Sequence, residues 1–354
     1  MVYFFIFGVA FLLAVILTLL IKKIALKFGI VDDPRNAPER KIQIKPIPLL
    51  GGTAVYLAFA FGVLIFKDQI LSGSIELRNL IGVILGGLII ILGGILDDKF
   101  NLPAKKQIIF PILATLVAIF FGIGIDFITN PFGGLIYLDQ VKFQIITLGG
   151  IPYFISLFSD LFTLIWLMVV IYAIKFLDGL DGLVSGVSMI GGLVVAGLCL
   201  LTVFFQPEVA TLAIIFAGAC AGFLVFNFHP AKIFLGEAGS FCGFMLGILA
   251  IISGGKIATT LLILGIPILD LIWVVFRRVL VDKKAPWKGD KKHLHFRLLE
   301  LGFSHRGAVL LLYFIALIFG LVTIFFGSLA KLIALIILVI LMIILAIIIT
   351  KKEK

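Results

Sequence analysis

The sequence predicts an all-α integral membrane protein whose chain crosses the bilayer many times. Its 354 residues are 62% hydrophobic and only 14% charged, and the mean hydropathy is +1.28. A soluble domain needs far more charge on its surface. Apolar runs of about 20 residues cross a hydrocarbon core of about 30 Å as helices, because every backbone polar group must then find its partner within the segment.

Eleven apolar runs qualify as candidate spans. They cover residues 2–21, 47–66, 79–96, 107–125, 155–174, 184–205, 209–227, 240–254, 257–277, 308–326 and 329–350. The eighth and ninth lie in one apolar stretch of 40 residues that is interrupted mainly by Gly254, Gly255 and Lys256. One helix of that length would measure about 60 Å, so two spans joined by a glycine turn fit a bilayer better.

The distribution of basic residues predicts the orientation. The first run has no positively charged segment before it and no small-residue cleavage site, and Lys22 and Lys23 follow it. We therefore expect an uncleaved first helix with its N-terminus outside. With eleven spans the C-terminus is cytoplasmic, and 24 of the 29 lysines and arginines then lie on the inner side. This is a strong positive-inside bias.

The remaining composition excludes several classes of function. The net charge of +10 is expected from this topology and from contact with anionic lipid headgroups, and no alternating basic and aromatic pattern indicates nucleic-acid binding. Cys199, Cys220 and Cys242 lie in apolar runs without CxxC spacing, which is typical of small buried hydrophobes. The outer segment 126–154 alternates apolar and polar residues near glycine pairs and predicts a short hairpin.

The polar residues that indicate chemistry lie in predicted inner loops. These loops are 22–46, 97–106, 175–183, 228–240 and 278–307. They carry Asp32 and Asp33, Asp97 and Asp98, Asp178 and Asp181, Glu237, and His293 and His295 respectively. Carboxylates, imidazoles and glycine turns therefore meet one face of the membrane. We predict a single transmembrane catalytic domain, 1–354, with its active site on the cytoplasmic face.

Asp178 and Asp181 form the clearest individual motif. If the preceding helix continues, residues three apart share one face and can bind one cation or a metal-bound phosphate. Gly179 and Gly182 would let a ligand approach the backbone closely. A pair of ordinary helix-end carboxylates is the alternative, but it does not explain the two glycines.

The other motifs leave alternatives open when taken alone. Asp97 and Asp98 fit either a site or a solvated helix end, and Lys105 and Lys106 suit lipid headgroups as well as substrate phosphate. Glu237 precedes the short eighth span, where a helix N-terminus suits phosphate.

Three further polar positions have structural alternatives of their own. Ser240 would make the Glu237 segment a simple helix cap. Asp270 lies within the ninth span, where it would face a cavity or pair with Arg277. His305 is interpreted as incidental to the basic segment 282–306, whose other donors suit pyrophosphate and sugar.

Five motifs in order resemble those of the polyprenyl-phosphate N-acetylhexosamine-1-phosphate transferases. They are DDPRNAPERKIQIKPIPLLGG, LDDKFNL, FLDGLDGLVSG, FLVFNFHPAKIFLGEAGS and HLHFRLLELGFSHR. The resemblance covers nearly the whole chain, and the last motif is similar to that of members using UDP-N-acetylglucosamine (UDP-GlcNAc). It implies transfer of GlcNAc-1-phosphate from UDP-GlcNAc to undecaprenyl phosphate with release of UMP, as the first membrane step of a cell-envelope glycopolymer such as lipopolysaccharide or teichoic acid.

The resemblance also implies roles, a cofactor and partners. It implies that Asp97 and Asp98 handle the lipid phosphate, that Asp178 and Asp181 organise nucleotide or metal, and that Glu237 binds Mg²⁺ or Mn²⁺ together with Asp178. The substrate-binding residues that it implies are Asp32, Asp33, Lys105, Lys106, Lys175, Asn227, His293, His295 and Arg297. We expect UDP-GlcNAc, undecaprenyl phosphate and membrane lipid as partners, no nucleic acid, and the inner cell membrane as location. A homodimer is left open.

Five positions depart from the family pattern. Gln43 and Phe296 replace histidines, Tyr172 and Lys175 replace asparagines, and Glu237 replaces the metal-binding aspartate. A lysine ammonium cannot ligate Mg²⁺ and repels it. One hypothesis is that Lys175 pairs with Glu237 and supplies the positive charge itself.

Three other functions stay open at this point. They are transfer from another UDP-amino sugar, a non-catalytic relative, and a transporter of lipid-linked solutes. The transporter is disfavoured because the charges crowd one face and no internal repeat is evident. Metal-dependent UMP release would separate the transferase from the last two.

Overall fold

The computed structural model describes residues 1–36, 45–130, 133–148, 151–203, 205–254, 257–281, 283 and 293–352. These residues form a mainly helical protein. The helices are α1 (Val2–Lys27), α2 (Gly51–Ile65), α3 (Lys67–Ile70), α4 (Leu77–Phe100), α5 (Ala104–Gln107), α6 (Ile109–Phe120), α7 (Leu157–Leu177), α8 (Leu183–Leu201), α9 (Pro207–Asn227), α10 (Ser240–Ile252), α11 (Ile257–Ile263), α12 (Gly265–Phe276), α13 (Leu294–Glu300), α14 (His305–Phe325) and α15 (Ser328–Lys352).

Helical structure falls within every one of the predicted spans. Among the described helices, six are long and apolar enough to cross a membrane, or seven if α11 and α12, which are bent by 79°, form one broken span. Three shorter apolar helices accompany them, in α2, α10 and α15. The chain is thus a multi-pass membrane protein.

The prediction of an all-α protein with one outer hairpin leaves out a small part of the observed structure. The described part of the chain contains three antiparallel two-stranded sheets. They pair β1 (Val31–Asp32) with β2 (Ile47–Pro48), β3 (Phe127–Thr129) with β4 (Leu135–Tyr137), and β5 (Lys142–Leu148) with β6 (Ile151–Ser156). The hairpin predicted in the outer segment is therefore a pair of hairpins. The second extends to Ser156, so the fifth span begins at Leu157 instead of residue 155.

Small residues allow the long helices to approach one another closely. A Cβ at Gly222 of α9 would lie 2.3 Å from the carbonyl oxygen of Phe11, and one at Gly218 would lie 2.7 Å from that of Phe7. Ala10 and Ala14 of α1 meet the same face of α9. Small residues four apart give this contact in membranes, because association there depends on close van der Waals packing.

One end of the helix bundle is polar. Residues near the C-terminal ends of α1, α4, α7 and α9, and near the N-terminal ends of α10 and α14, line a single cavity at this end. The three cysteines are free and buried, in agreement with their predicted role as small hydrophobes. The fold therefore brings together at one end the loops that hold the conspicuous polar residues.

Candidate active site

A cavity of about 1140 Å³ receives residues from all five predicted loops. Six carboxylates, four lysines and two histidines line it, so its formal charge is negative overall when both histidines are neutral. These residues are Asp32, Asp97, Asp98, Asp178, Asp181, Glu237, Lys22, Lys45, Lys175, Lys232, His229 and His305. We refer to it as the active-site cavity.

The aspartate turn, residues 178–182, connects α7 to α8. The helix ends at Leu177, and Asp178 is its C-cap residue, so the helix does not continue to Asp181 as expected. Gly182 begins the next helix as its N-cap with a φ of 81°, a conformation in which glycine has no steric cost. The two carboxylates therefore reach the cavity through a turn, and the expectation that they share one helix face is wrong.

Asn227 holds the aspartate turn in place. Its side-chain oxygen accepts hydrogen bonds from the Gly182 amide at 3.1 Å and from the Ser185 hydroxyl at 2.9 Å. Its side-chain nitrogen donates to the Ile233 carbonyl at 3.0 Å. The amide is buried and joins two loops of the cavity wall, so these contacts give Asn227 a positioning role.

Glu237 lies in a short 3-10 turn, Glu237–Gly239, that is held between two helices. A Cβ at Gly52 of α2 would lie 2.3 Å from the Ala238 carbonyl carbon, and one at Gly94 of α4 would lie 2.4 Å from the Ala238 nitrogen. Glycine at both positions therefore lets the turn pack closely between the two helices, and this packing fixes the position of Glu237 in the cavity. Ser240 is the first residue of α10 and donates to the Glu237 carbonyl at 2.8 Å, so its predicted role as N-cap is wrong.

Asp97 and Asp98 belong to the last turn of α4. Asp97 accepts a hydrogen bond from the Leu102 amide at 2.8 Å, and Asp98 accepts one through Oδ1 from the Glu237 amide at 2.9 Å. The Oδ2 atom of Asp98 is buried against Gly236 and has no hydrogen-bond partner among the described residues. Asp98 thus links the aspartate pair directly to the Glu237 turn.

Lys175 and Glu237 form an ion pair inside the cavity. The Nζ atom of Lys175 lies 2.5 Å from Oε2 of Glu237 and donates to the side-chain oxygen of Gln107 at 3.0 Å. The two charged side chains are 20% and 37% exposed. This contact confirms the pairing inferred from the two family departures. Tyr172 accompanies the pair, with its ring centroid 6.0 Å from the ammonium.

Asp178 has a perturbed acidity. Enclosure by the surrounding protein raises the pKa of its carboxyl to about 7, and the nearby Glu237 and Asp181 carboxylates act in the same direction. The side chain keeps an exposed face towards the cavity, so water limits the shift. A carboxyl group with a pKa of about 7 can take up or release a proton near neutral pH, and its ionised form can bind a cation.

Two histidines that were not predicted as site residues also line the cavity. His229 Nδ1 lies 2.7 Å from Oδ2 of Asp181, and His305 Nε2 accepts a hydrogen bond from the Asp181 amide at 2.8 Å. The two rings stack with centroids 4.0 Å apart. The interpretation of His305 as incidental is therefore wrong, because its ring contacts the aspartate turn. Only this contact, between residues 124 positions apart in the chain, shows that His305 lies at the cavity.

His293 and His295 lie behind the cavity wall. His293 bonds through Nδ1 to Oδ2 of Asp270 at 2.7 Å, and the Leu294 amide donates to the same carboxylate at 3.0 Å. Asp270 therefore pairs with a histidine and not, as the alternative had it, with Arg277. His295 is 1% exposed, and burial lowers its pKa to about 3, so its ring is neutral.

Arg297 is also buried and, like the two histidines, is not among the cavity-lining residues. A Cβ at Gly179 would lie 2.0 Å from Nε2 of His295, so this ring packs directly on the aspartate turn. Within the His-x-His-x-Arg motif, the ring of His295 therefore supports the turn from behind, and the predicted contact of the three residues with substrate stays a prediction.

The remaining predicted residues divide between the cavity and the surface. Asp32 lines the cavity, whereas Asp33 forms an ion pair with Arg35 at 2.6 Å. Lys105 and Lys106 are exposed on α5 and do not line the cavity. Phe296 lines it, and Gln43 lies outside the described residues.

Comparisons with known proteins agree with this arrangement. The model of the family described as glycosyl transferase family 4 matches residues 80–254. The chain is 35% identical over 325 residues to the probable undecaprenyl-phosphate N-acetylglucosaminyl 1-phosphate transferase of Bacillus subtilis, which covers 90% of this chain and 83% of that protein. It is 33% identical over 326 residues to the decaprenyl-phosphate N-acetylglucosaminephosphotransferase of Mycolicibacterium smegmatis, with 83% and 74% covered.

A third relative is more distant. The undecaprenyl-phosphate alpha-N-acetylglucosaminyl 1-phosphate transferase of Escherichia coli K12 is 28% identical over 317 residues, with 85% of this chain and 78% of that protein covered. The similarity to these relatives covers 83% to 90% of this chain, so it extends well beyond the segment that the family model matches. The chain therefore belongs to glycosyl transferase family 4.

Proposed function

We propose that this protein is an enzyme that transfers GlcNAc-1-phosphate from UDP-GlcNAc to undecaprenyl phosphate and releases UMP. The names of the three relatives describe this chemistry or its decaprenyl counterpart. The observation that carries the proposal for this chain is the convergence of Asp97, Asp98, Asp178 and Glu237 with Lys175 in one cavity at the end of a membrane helix bundle.

The reaction joins two anions. An oxygen of the lipid phosphate attacks the β-phosphorus of UDP-GlcNAc, and the bond from that phosphorus to the bridging oxygen breaks. The bridging oxygen leaves with UMP and retains the electron pair, so the total charge is unchanged. Little covalent work falls to the protein, whose task is to align the phosphates and to offset their repulsion.

The acceptor reaches the cavity from the membrane side. Lys22 and Leu26 of α1 line the cavity, and the outer face of this helix is exposed and apolar at Leu20, Ile24 and Leu26. A polyprenyl chain can lie along this face while its phosphate meets Lys22 and the aspartate pair. Asp98, which lines the cavity beside Asp97, then orients the phosphate or accepts its proton.

The donor occupies the opposite wall. Lys175, Lys45 and Lys232 supply positive charge for its pyrophosphate, and the aspartate turn offers backbone and carboxylate contacts to the nucleotide. A metal bound at Glu237 does not fit the residues present, because the Lys175 ammonium already lies 2.5 Å from its carboxylate. No step of this scheme passes through a metal. The Mg²⁺ or Mn²⁺ requirement stays a prediction, and the assay below measures it.

The topology belongs to the same proposal. Eleven spans with the N-terminus outside place the cavity on the cytoplasmic face of the inner membrane, where UDP-sugars are made. This orientation is supported by the 24 of 29 basic residues that fall on the inner side. A cysteine introduced next to Lys232 should then react with an impermeant thiol reagent only after the cells are opened.

The test is UMP release by the detergent-purified protein supplied with UDP-GlcNAc and undecaprenyl phosphate, with and without Mg²⁺. We expect release that depends on the lipid phosphate. Release with a different UDP-amino sugar alone would correct the donor. No release from a panel of donors by a folded protein would overturn the proposal and favour the non-catalytic relative.

A further inference from the structure

Of the five other carboxylates that line the active-site cavity, three lie close enough to Glu237 to interact with it electrostatically. They are Asp97, Asp98 and Asp178, and all three line the cavity. Such a cluster would normally attract a divalent cation to an accessible carboxylate. The Glu237 carboxylate is 37% exposed, yet it is the one that an ammonium group covers.

From this geometry we infer that Lys175 is a built-in cation that excludes a resident divalent metal from Glu237 and binds the pyrophosphate of the donor in its place. This inference rests on the proposed function for the identity of the anion. Its first half, the exclusion of metal, depends only on the contacts of this chain.

Contacts of the backbone fix the position of Glu237. Its amide donates to Asp98, and Ala238 beside it fits between glycines of α2 and α4. The backbone of Glu237 is therefore held in place, and the Oε2 atom of its side chain lies next to Lys175. No other side chain or backbone group among the described residues bonds to this oxygen.

The position of Lys175 is equally defined. Its ammonium lies between Oε2 of Glu237 at 2.5 Å and the side-chain oxygen of Gln107 at 3.0 Å. An ammonium group carries three hydrogen-bond donors, so one remains for an anion in the cavity. Its charge is retained, because Glu237 favours the protonated lysine.

A metal at Glu237 and this ammonium would repel each other. A divalent cation binds a carboxylate oxygen at about 2.0–2.6 Å. On either oxygen of Glu237 it would lie within a few ångström of the Nζ atom, and two like charges would be held together in a partly enclosed site. Binding of metal at Glu237 is therefore weakened as long as Lys175 keeps its position and its charge.

The fixed charge of Lys175 also affects how the donor binds. A pyrophosphate that enters the cavity meets a fixed positive charge and does not need to bring a cation for that position. The remaining carboxylates would repel it, so the charge of Lys175, the lysine beside them, contributes strongly to donor binding. Removal of this charge should then weaken donor binding unless a divalent cation takes its place.

The test is Mn²⁺ binding to the detergent-purified full chain without nucleotide, followed by the loss of the free-ion electron paramagnetic resonance signal. We expect weak binding by the wild type and at least tenfold tighter binding by Lys175→Asn. The gain should vanish in Lys175→Asn/Glu237→Gln, which removes the freed carboxylate. Lys175→Arg keeps the charge and should bind as weakly as the wild type.

The matched control is Lys99→Asn, the same change at an exposed lysine outside the cavity. It should leave Mn²⁺ binding unchanged. Tight Mn²⁺ binding by the wild type that is lost in Glu237→Gln would overturn the inference without any need for the lysine variants. Equal binding by the wild type and Lys175→Asn would also overturn it.

The second part of the inference, binding of the donor pyrophosphate by Lys175, is tested by a separate measurement. UDP-GlcNAc binding, measured by calorimetry without metal, should weaken at least tenfold in Lys175→Asn and recover in part when Mn²⁺ is added. Unchanged binding would overturn this half. If the wild type releases no UMP with any donor while the Mn²⁺ results hold, the proposed function fails and the metal exclusion stands.

Discussion

The ammonium of Lys175 lies 2.5 Å from the carboxylate of Glu237, across the space between α7 and the turn that precedes α10. Two family departures at separate positions in the sequence thus form one contact. The pair is partly shielded from water, so the loss of either side chain would leave the other charge without its partner in a partly enclosed site. Partial exposure reduces the interaction below that of a fully buried pair.

A double-mutant cycle measures this dependence. Lys175→Met leaves Glu237 unpaired next to Asp97, Asp98 and Asp178, so we expect a loss of about 1–3 kcal/mol in the free energy of unfolding. Glu237→Gln should cost a similar amount, and the double variant less than the sum of the two. Thermal melting in detergent reports all four proteins. Simple additivity would mean that the pair contributes nothing to stability.

Asp98 is expected to matter for activity more than for folding. Asp98→Asn keeps an oxygen that can accept from the Glu237 amide but removes the charge of the unpartnered Oδ2. We expect UMP release to fall by about 10²–10⁴-fold, the usual contribution of a positioned general base. Asp68→Asn, the same change at an exposed residue of α3, is the control and should retain full activity.

Asp178 should destabilise the protein as the pH rises. Its folded pKa of about 7 lies above the unfolded value of about 3.9, so the folded state holds a proton that the unfolded state releases. The contribution is therefore favourable below about pH 4 and is lost as the pH rises through 7.

Asp178→Asn removes this dependence and with it the carboxylate that the reaction uses. We expect the variant to melt at a higher temperature than the wild type at pH 8, to differ little from it at pH 4, and to release no UMP. Such an exchange of stability for activity is common at active sites. A constant difference in melting temperature across this pH range would contradict the assigned acidity.

Much of the site could be predicted from the sequence because membrane topology restricts the possibilities. Alternating helices place every second loop on one side, so the carboxylates from Asp97 to Glu237 had to meet at one end of the bundle. The pairing of Lys175 with Glu237 followed from the opposite charges at two positions that depart from the family pattern. In neither case did the prediction require the packing of individual side chains.

The positions of the histidines could not be predicted in the same way. His305 reaches Asp181 and His293 reaches Asp270 because particular helices pack together, and no local pattern encodes those contacts. The predicted fifth span ended at residue 174, close to the observed end of α7 at Leu177. The sequence left open whether the helix continues to Asp181, because no local pattern shows that the backbone turns where Gly179 meets a buried ring.

Gly179 and His295 provide the last prediction. An added Cβ at Gly179 would lie 2.0 Å from Nε2 of a ring that is 1% exposed and cannot move aside. Gly179→Ala should therefore displace the aspartate turn and cost about 1–3 kcal/mol, as overpacking usually does. His295→Ala should cost a comparable amount because it leaves a cavity behind the turn.

The combination of the two changes distinguishes steric contact from other effects. His295→Ala makes room for the new methyl group, so the double variant should melt close to His295→Ala alone, and Gly179→Ala should add almost nothing to it. Gly8→Ala is the control, since a Cβ there meets no atom within 4 Å, and it should not lower the melting temperature. If the two losses instead add in full, the ring does not hold the turn. If they do not add, His295 is a positioning residue, and the substrate contact predicted for it is not needed to explain the motif.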